Sequence, residues 1–306
     1  MFTNKLYLDG NDVYSSYGAI LGEGSYKNLL EWPVFKELSY NDWHEENGLE
    51  VDLSDPKLDT RTFELTFNFI GSQPRMDKFI LQLSDLAYHT CIFVDISLSL
   101  TLRMVSIGGL DLTNGLPVLK VQLAHDEPLT LRNYTAPISN ISYSEDYTLD
   151  GIPISEYGLR VLEGSLSSVK KPPDVKENLN RNISTLNGAI YYNGNVKYKA
   201  KDITLKCLMT ADLLTGLINN YYTLFNELTE TGTRDLYVDA TSETYQCYYN
   251  SIKVTEVYTT GKLWLAFELV LTIPNPTVAL EEFLLSTEDG LFITTEDSIN
   301  YIDMEV

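Results

Sequence analysis

Thr62-Phe63-Glu64-Leu65-Thr66-Phe67 alternates polar and apolar side chains, and Asp202-Ile203-Thr204-Leu205-Lys206-Cys207 does the same in the second half of the chain. Period-two alternation reads as a strand with one buried face. Its return is one of a series. Leu8-Asp9-Gly10 recurs as Leu149-Asp150-Gly151, Tyr17-Gly18 as Tyr157-Gly158, and Glu23-Gly24-Ser25 as Glu163-Gly164-Ser165. Val94-Asp95 returns as Val238-Asp239, Ser106-Ile107 as Ser251-Ile252, and Thr113-Asn114-Gly115 as Thr259-Thr260-Gly261. The run from Leu119 to Pro128 lies over Phe267 to Pro276. The offset stays between 138 and 148 and shifts only where loops would lie. The seven further matches, all in one order, predict two homologous domains, residues 1–148 and 149–276.

Each alternating run is followed by helical spacing. Leu214, Leu217, Ile218, Tyr221, Phe225 and Leu228 form an apolar stripe with Asp212 placed to cap its start, and Met76, Phe79, Ile80, Leu83 and Ala87 repeat it. Strands follow again, through Leu98 to Ile107 and Leu116 to Ala124 in one copy and Tyr237 to Ile273 in the other. Asn114-Gly115, Asn187-Gly188 and Asn193-Gly194 are hairpin signals. The expected fold class is mainly β in the α+β sense. It comprises two tandem antiparallel β-sandwich or split-barrel domains, each with one packed helix. Residues 277–306, where Leu285 to Gly290 and Ile293 to Ser298 repeat with period 8, are expected to form an acidic C-terminal hairpin or arm.

The chain has 306 residues, 44% hydrophobic and 21% charged, which is globular composition with room for two domains. Three cysteines without CxxC spacing point to a reducing compartment rather than a disulfide scaffold. The first ten residues do not read as a signal peptide, and no apolar run has the length of a membrane helix. Net charge is −21, divided as −11 over residues 1–148, −2 over 149–276 and −8 over 277–306. Such a chain repels phosphate backbones, which predicts no tight nucleic-acid binding.

Chemistry-bearing patterns are sparse. His44 falls in a loop, His89 at the end of the first helix and His125 at the end of a strand, and neither His89 nor His125 has zinc spacing. Gly22 to Lys27 lacks the phosphate-loop frame and reads as a structural turn. Asp52, Asp55 and Asp59 lack the calcium-loop frame and read as a solvated acidic loop. No GxSxG context places a nucleophile. No catalytic residue, cofactor or metal is therefore expected. Tyrosine is abundant, at 21 residues, and suits interfaces or sugar platforms. Trp32 and Trp43 in the first long loop are the expected exposed anchors, and Lys170 and Lys171 occupy the comparable loop of the second copy.

The order of YG turn, EGS turn, long loop, strand pair, helix and return hairpin resembles the tail-tube and distal-tail proteins of tailed bacteriophages, of baseplate-hub type. The run Leu49 to Gly71, including Arg61-Thr62-Phe63-Glu64-Leu65-Thr66-Phe67, is similar to the opening of distal-tail proteins. The resemblance spans residues 1–276 at the level of element order. It implies a non-enzymatic virion protein, assembled in the bacterial host cytoplasm, that forms a ring around a DNA-conducting lumen and joins tube to baseplate. The implied partners are other tail proteins and further copies of itself. Two tube domains per chain suit a trimeric pseudo-sixfold ring, with a hexamer as the alternative. A tandem carbohydrate-binding or adhesion module is the second reading, and a hydrolase with dispersed catalytic acids the third.

Overall fold

A computed structural model describes residues 2–276 apart from 23, 72, 86, 112–115, 133–134, 138, 140–145, 179, 193 and 195. The expected C-terminal arm and the Asn114-Gly115 turn lie outside the described residues. The chain up to Pro276 forms one compact unit.

The strands are β1 (Leu6–Leu8), β2 (Asn11–Asp12), β3 (Ala19–Leu21), β4 (Tyr40–Asn41), β5 (Glu50–Val51), β6 (Arg61–Phe69), β7 (His89–Phe93), β8 (Leu98–Asp111) and β9 (Val118–His125). They continue as β10 (Tyr147–Leu149), β11 (Ile152–Pro153), β12 (Leu159–Val161), β13 (Asn180–Asn182), β14 (Ala189–Tyr191), β15 (Lys201–Ala211), β16 (Arg234–Val238), β17 (Glu243–Tyr258) and β18 (Leu263–Ile273). Helices are α1 (Val13–Tyr17), α2 (Ser25–Leu30), α3 (Gln73–Leu83), α4 (Ser165–Lys170) and α5 (Leu214–Leu228).

Two seven-stranded sheets have the orders β2-β1-β7-β8-β9-β6-β3 and β11-β10-β16-β17-β18-β15-β12. These are the same order, strand for strand, and every named strand pairing is antiparallel. The two edge strands of the first sheet, β2 and β3, are joined in sequence by α1. No pairing joins those two edges, so the sheet is open rather than closed into a barrel. Even a bulge repeats: β8 shifts register between Met104 and Ser106, and β17 between Tyr249 and Ser251, each time running into the matched Ser-Ile pair. A bulge adds local twist, which helps a long strand curl.

The repeated motifs hold these corners together. Asp9 Oδ1 accepts from the Thr90 amide at 2.9 Å, and Asp150 Oδ1 from the Asp235 amide at 2.7 Å. The buried Ser25 and Ser165 hydroxyls accept from the Thr66 and Lys206 amides, tying each EGS turn to its alternating strand. Gly18 and Gly158 have φ of 70° and 67°, and a Cβ there would stand 2.3 and 2.4 Å from the carbonyl oxygens of Ile70 and Thr210. Only glycine fits both the conformation and the approach.

Alternation in β6 and β15 follows the expected faces, with Phe63, Leu65, Phe67, Ile203, Leu205 and Cys207 buried. Helix α3 buries Met76, Phe79 and Leu83, but it ends before Ala87, which is exposed. Helix α5 takes Leu213, not Asp212, as its N-cap position, and the Leu213 side chain makes no cap bond. His89 opens strand β7 instead of ending a helix. The expected single helix per copy is joined by the short α1, α2 and α4, the last two opened by the EGS turns.

Candidate assembly surfaces

The segment after α2 leaves the first sheet and packs on the second. Trp32 is 3% exposed, with ring centroids 4.6 Å from Tyr221, 5.1 Å from Phe225, 5.9 Å from Tyr249 and 6.2 Å from Phe267. Tyr221 donates its hydroxyl hydrogen to the Leu30 carbonyl at 2.8 Å. Trp32 is thus not the exposed anchor its loop setting suggested. It belongs to one core cluster that runs through both halves.

Beyond Trp32 the chain forms an arm. Phe35 bridges Leu58 at its base, β4 pairs β5, and Asn47-Gly48 lies at the tip. The tip is seated on the second half: the Gly48 amide donates to Tyr198 O at 2.7 Å and the Leu49 amide to Pro274 O at 2.8 Å. Lys176, 5% exposed, clamps the tip through Asp42 Oδ1 at 2.6 Å, the Trp43 carbonyl at 2.8 Å and the Gly48 carbonyl at 2.6 Å. A buried ammonium is tolerated only when its donors are satisfied and its charge is countered, and this seat does both. Gly48 has φ 69°, and a Cβ there would lie 1.9 Å from Pro274 O.

Arg61 is buried beside the same junction. Its Nη1 donates to the Leu29 carbonyl at 2.8 Å and to the Glu31 carbonyl, and its guanidinium lies over the Phe63 ring at 4.9 Å. The corresponding Lys201 donates to the carbonyl of Val169, the counterpart of Leu29. Across the β6–β9 ladder from Arg61 sits His125, fully buried, with Nε2 3.2 Å from Thr130 Oγ1. Burial, with the Arg61 charge second, pushes the His125 imidazole down to about 4. The unfolded chain therefore binds more protons than the folded one between pH ~6.5 and ~4, so stability falls as pH drops through that window. The expected loss is about 3 kcal/mol. The matching position in the second half is Ile273, also buried. A His125→Ile variant should lose less stability than wild type between pH 7 and 4.5 in urea titrations, and parallel losses would show that His125 is not responsible.

His89 is also buried. Its Nδ1 is 2.7 Å from Asp9 Oδ2 and its Nε2 3.1 Å from Asp85 Oδ1. Burial alone would raise the Asp9 carboxyl, but the hydrogen bonds from His89 and the Thr90 amide outweigh it and hold it below its ordinary value. In the second half Arg234 Nη1 meets Asp150 Oδ2 at 3.1 Å, so both pairs brace the same corner.

The other expected residues lie apart from the junction core. Trp43 is 51% exposed, its indole N–H donating to Glu50 Oε2 at 3.2 Å. Lys170 and Lys171 are exposed at and beyond the end of α4. Asp52 accepts from Ser54, Asp55 pairs with Lys57 at 2.6 Å, and Asp59 accepts from the Thr60 amide. These carboxylates do not converge. Among the described residues, no group of three or more His, Cys, Asp or Glu is placed to hold a metal. No helix among the described residues is long and apolar enough to cross a membrane.

Both long hairpins carry apolar side chains into solvent. Val105, Ile107 and Leu110 are exposed along the outer end of β8, as is Leu116 ahead of β9. In the second half the exposed Tyr258 stacks on Trp264 with centroids 4.6 Å apart.

Sequence reasoning missed Gly48, Lys176 and Arg61. The signal was present: Asn47-Gly48 and Asn187-Gly188 share the offset of the other repeats, as do Lys36 and Lys176.

No protein-family model matches the sequence, and no curated protein matches it. Among solved structures, the chain is similar to the Dit protein of phage SPP1, described as a paradigm of the hub adsorption apparatus in phages infecting Gram-positive bacteria. That likeness has 11% sequence identity and a TM-score of 0.32, covering 88% of this chain and 97% of that one.

Proposed function

We propose that this chain is a structural subunit of a phage tail tip or tail tube, built from two repeated domains, residues 1–148 and 149–276. In this reading it forms a ring around the DNA-conducting lumen and joins tube to baseplate in the virion tail, after assembly in the bacterial host cytoplasm. The observation that carries the reading is the repetition, strand for strand, of one open seven-stranded antiparallel sheet with a long hairpin, β8–β9 in one half and β17–β18 in the other. The motifs that repeat between the halves serve corners and turns, as expected of a unit selected for shape. Open sheets leave edges that side-by-side packing covers. Closed cyclic packing of such units uses a heterologous interface, with the first domain of one chain meeting the second of the next.

Three chains would present six similar domains, the preferred arrangement, and six chains with one domain each in the ring is the alternative. The acidic surplus faces lumen or solvent and lets DNA pass without sticking. Native mass measurement of the assembled protein, alone and with neighbouring tail proteins, tests this. Three chains support the pseudo-sixfold ring and six the alternative, whereas a monomer under every condition contradicts both. A tandem glycan-binding module has one observation in its favour, the exposed Tyr191-Tyr192 pair on the second arm. Monomers that bind an immobilised glycan would favour it.

A further inference from the structure

The two arms are built alike but used differently. In the first, Phe35 bridges Leu58, the Lys36 amide donates to Lys57 O at 2.7 Å, and Tyr40 pairs Val51. In the second, Val175 bridges Tyr198, the Lys176 amide donates to Lys197 O at 2.6 Å, and Asn180 pairs Tyr191. Each of these residues stands at one and the same offset from its counterpart. The first arm's tip is seated against Lys176, Tyr198 and Pro274. The second arm's tip, Asn187-Gly188, has no seat among the described residues: Gly188 has φ 81°, close to that of Gly48, and no described atom lies within 4 Å of where its Cβ would be.

The seat has a counterpart too. The strand registers place Lys36, Leu58 and Asp126 of the first half where Lys176, Tyr198 and Pro274 stand in the second. Those three residues line one open groove of about 690 Å³, with Asp55, Lys57 and Pro128 also on its wall. Among the described residues, one half thus has a filled seat and a free arm, and the other a free seat and a docked arm.

We infer that the Asn187-Gly188 tip of one copy seats in the Lys36–Leu58–Asp126 groove of the next copy. This rests on the ring reading above and specifies the contact by which copies would join. By correspondence, the Gly188 amide donates to the neighbour's Leu58 O, the Ala189 amide to its Asp126 O, and the neighbour's Lys36 Nζ to the Gly188 O. Charge is compatible with the pairing: the second arm, residues 175–198, holds three basic residues and one acidic, against a half whose net charge is −11. Asn182 stands where the first arm has Asp42, so Lys36 meets an amide rather than a carboxylate at that point. Each copy then uses its free arm once and its free seat once, which is the head-to-tail pattern that closes a ring or extends a filament.

Two variants and a cross-link test it. Gly188→Asn keeps a residue that tolerates positive φ but adds a Cβ where the docked arm has no room for one. Lys36→Glu reverses the charge in the groove. Each should weaken self-association by about tenfold or more, read by sedimentation, with monomer stability little changed. In an Asn187→Cys/Lys57→Cys double variant, a short bis-maleimide should link copies into a ladder that neither single variant gives, since the native cysteines are buried. If wild type forms rings but both variants assemble equally well and no ladder appears, the arm-in-groove contact is overturned and the ring reading survives. A wild-type chain that stays monomeric overturns both.

Discussion

Replacing Trp32 with alanine is expected to lower the unfolding free energy of this protein by about 3–5 kcal/mol, the cost of removing a buried tryptophan from a packed core. The indole stands among four aromatic rings of the second half, although its own chain segment comes from the first. Its removal leaves a void that those rings cannot close without moving both sheets. The loss should also weaken the coupling of the two halves, so the urea transition broadens or splits relative to wild type. Trp43→Ala is the matched control, because that exposed ring loses one solvent-accessible hydrogen bond to Glu50 and should cost no more than about 1 kcal/mol. A Trp32 variant as stable as the Trp43 variant would mean that the junction does not hold the halves together.

Gly48→Val carries the second large effect. The substitution puts a β-branched residue at φ 69° and a Cβ 1.9 Å from Pro274 O and 2.8 Å from Asn275 Cα, both backbone atoms with no room to yield. The arm tip must leave its seat, and the buried Lys176 ammonium then loses the Gly48 carbonyl and its position beside Asp42. We expect a loss of about 3 kcal/mol or more, with faster amide exchange across residues 39–53. Gly188→Val separates the causes. It has the same backbone conformation with open space around it, so only the left-handed strain of about 1–2 kcal/mol should appear. Equal losses in the two variants would show that the Gly48 seat adds nothing.

The repeat was legible in the sequence because its motifs act locally. A glycine that must take positive φ, an aspartate that caps the next strand and a serine that binds the adjacent strand leave the same letters at the same spacing in both halves. The alternation of β6 and β15 was legible for the same reason, since each run reports its own two faces. The junction was not. Trp32 meets Tyr221 from the far half of the chain and from a segment without regular structure. No periodicity marks it as buried, and loop position alone suggests exposure. The helix start failed on a smaller scale: Asp212 has the right chemistry for a cap but lies one position too early. Lys176 was hidden differently, as one lysine in a basic stretch. Only its correspondence to Lys36, together with the fold, separates it from its neighbours.

In the proposed assembly, copies of this chain close into a ring through their repeated halves. Electron micrographs of the purified full-length protein, over a range of concentrations, test it most directly. Closed rings of domain-sized lobes around a central opening, with three chains per ring by mass, are the expected result; dispersed single chains at every concentration would contradict it.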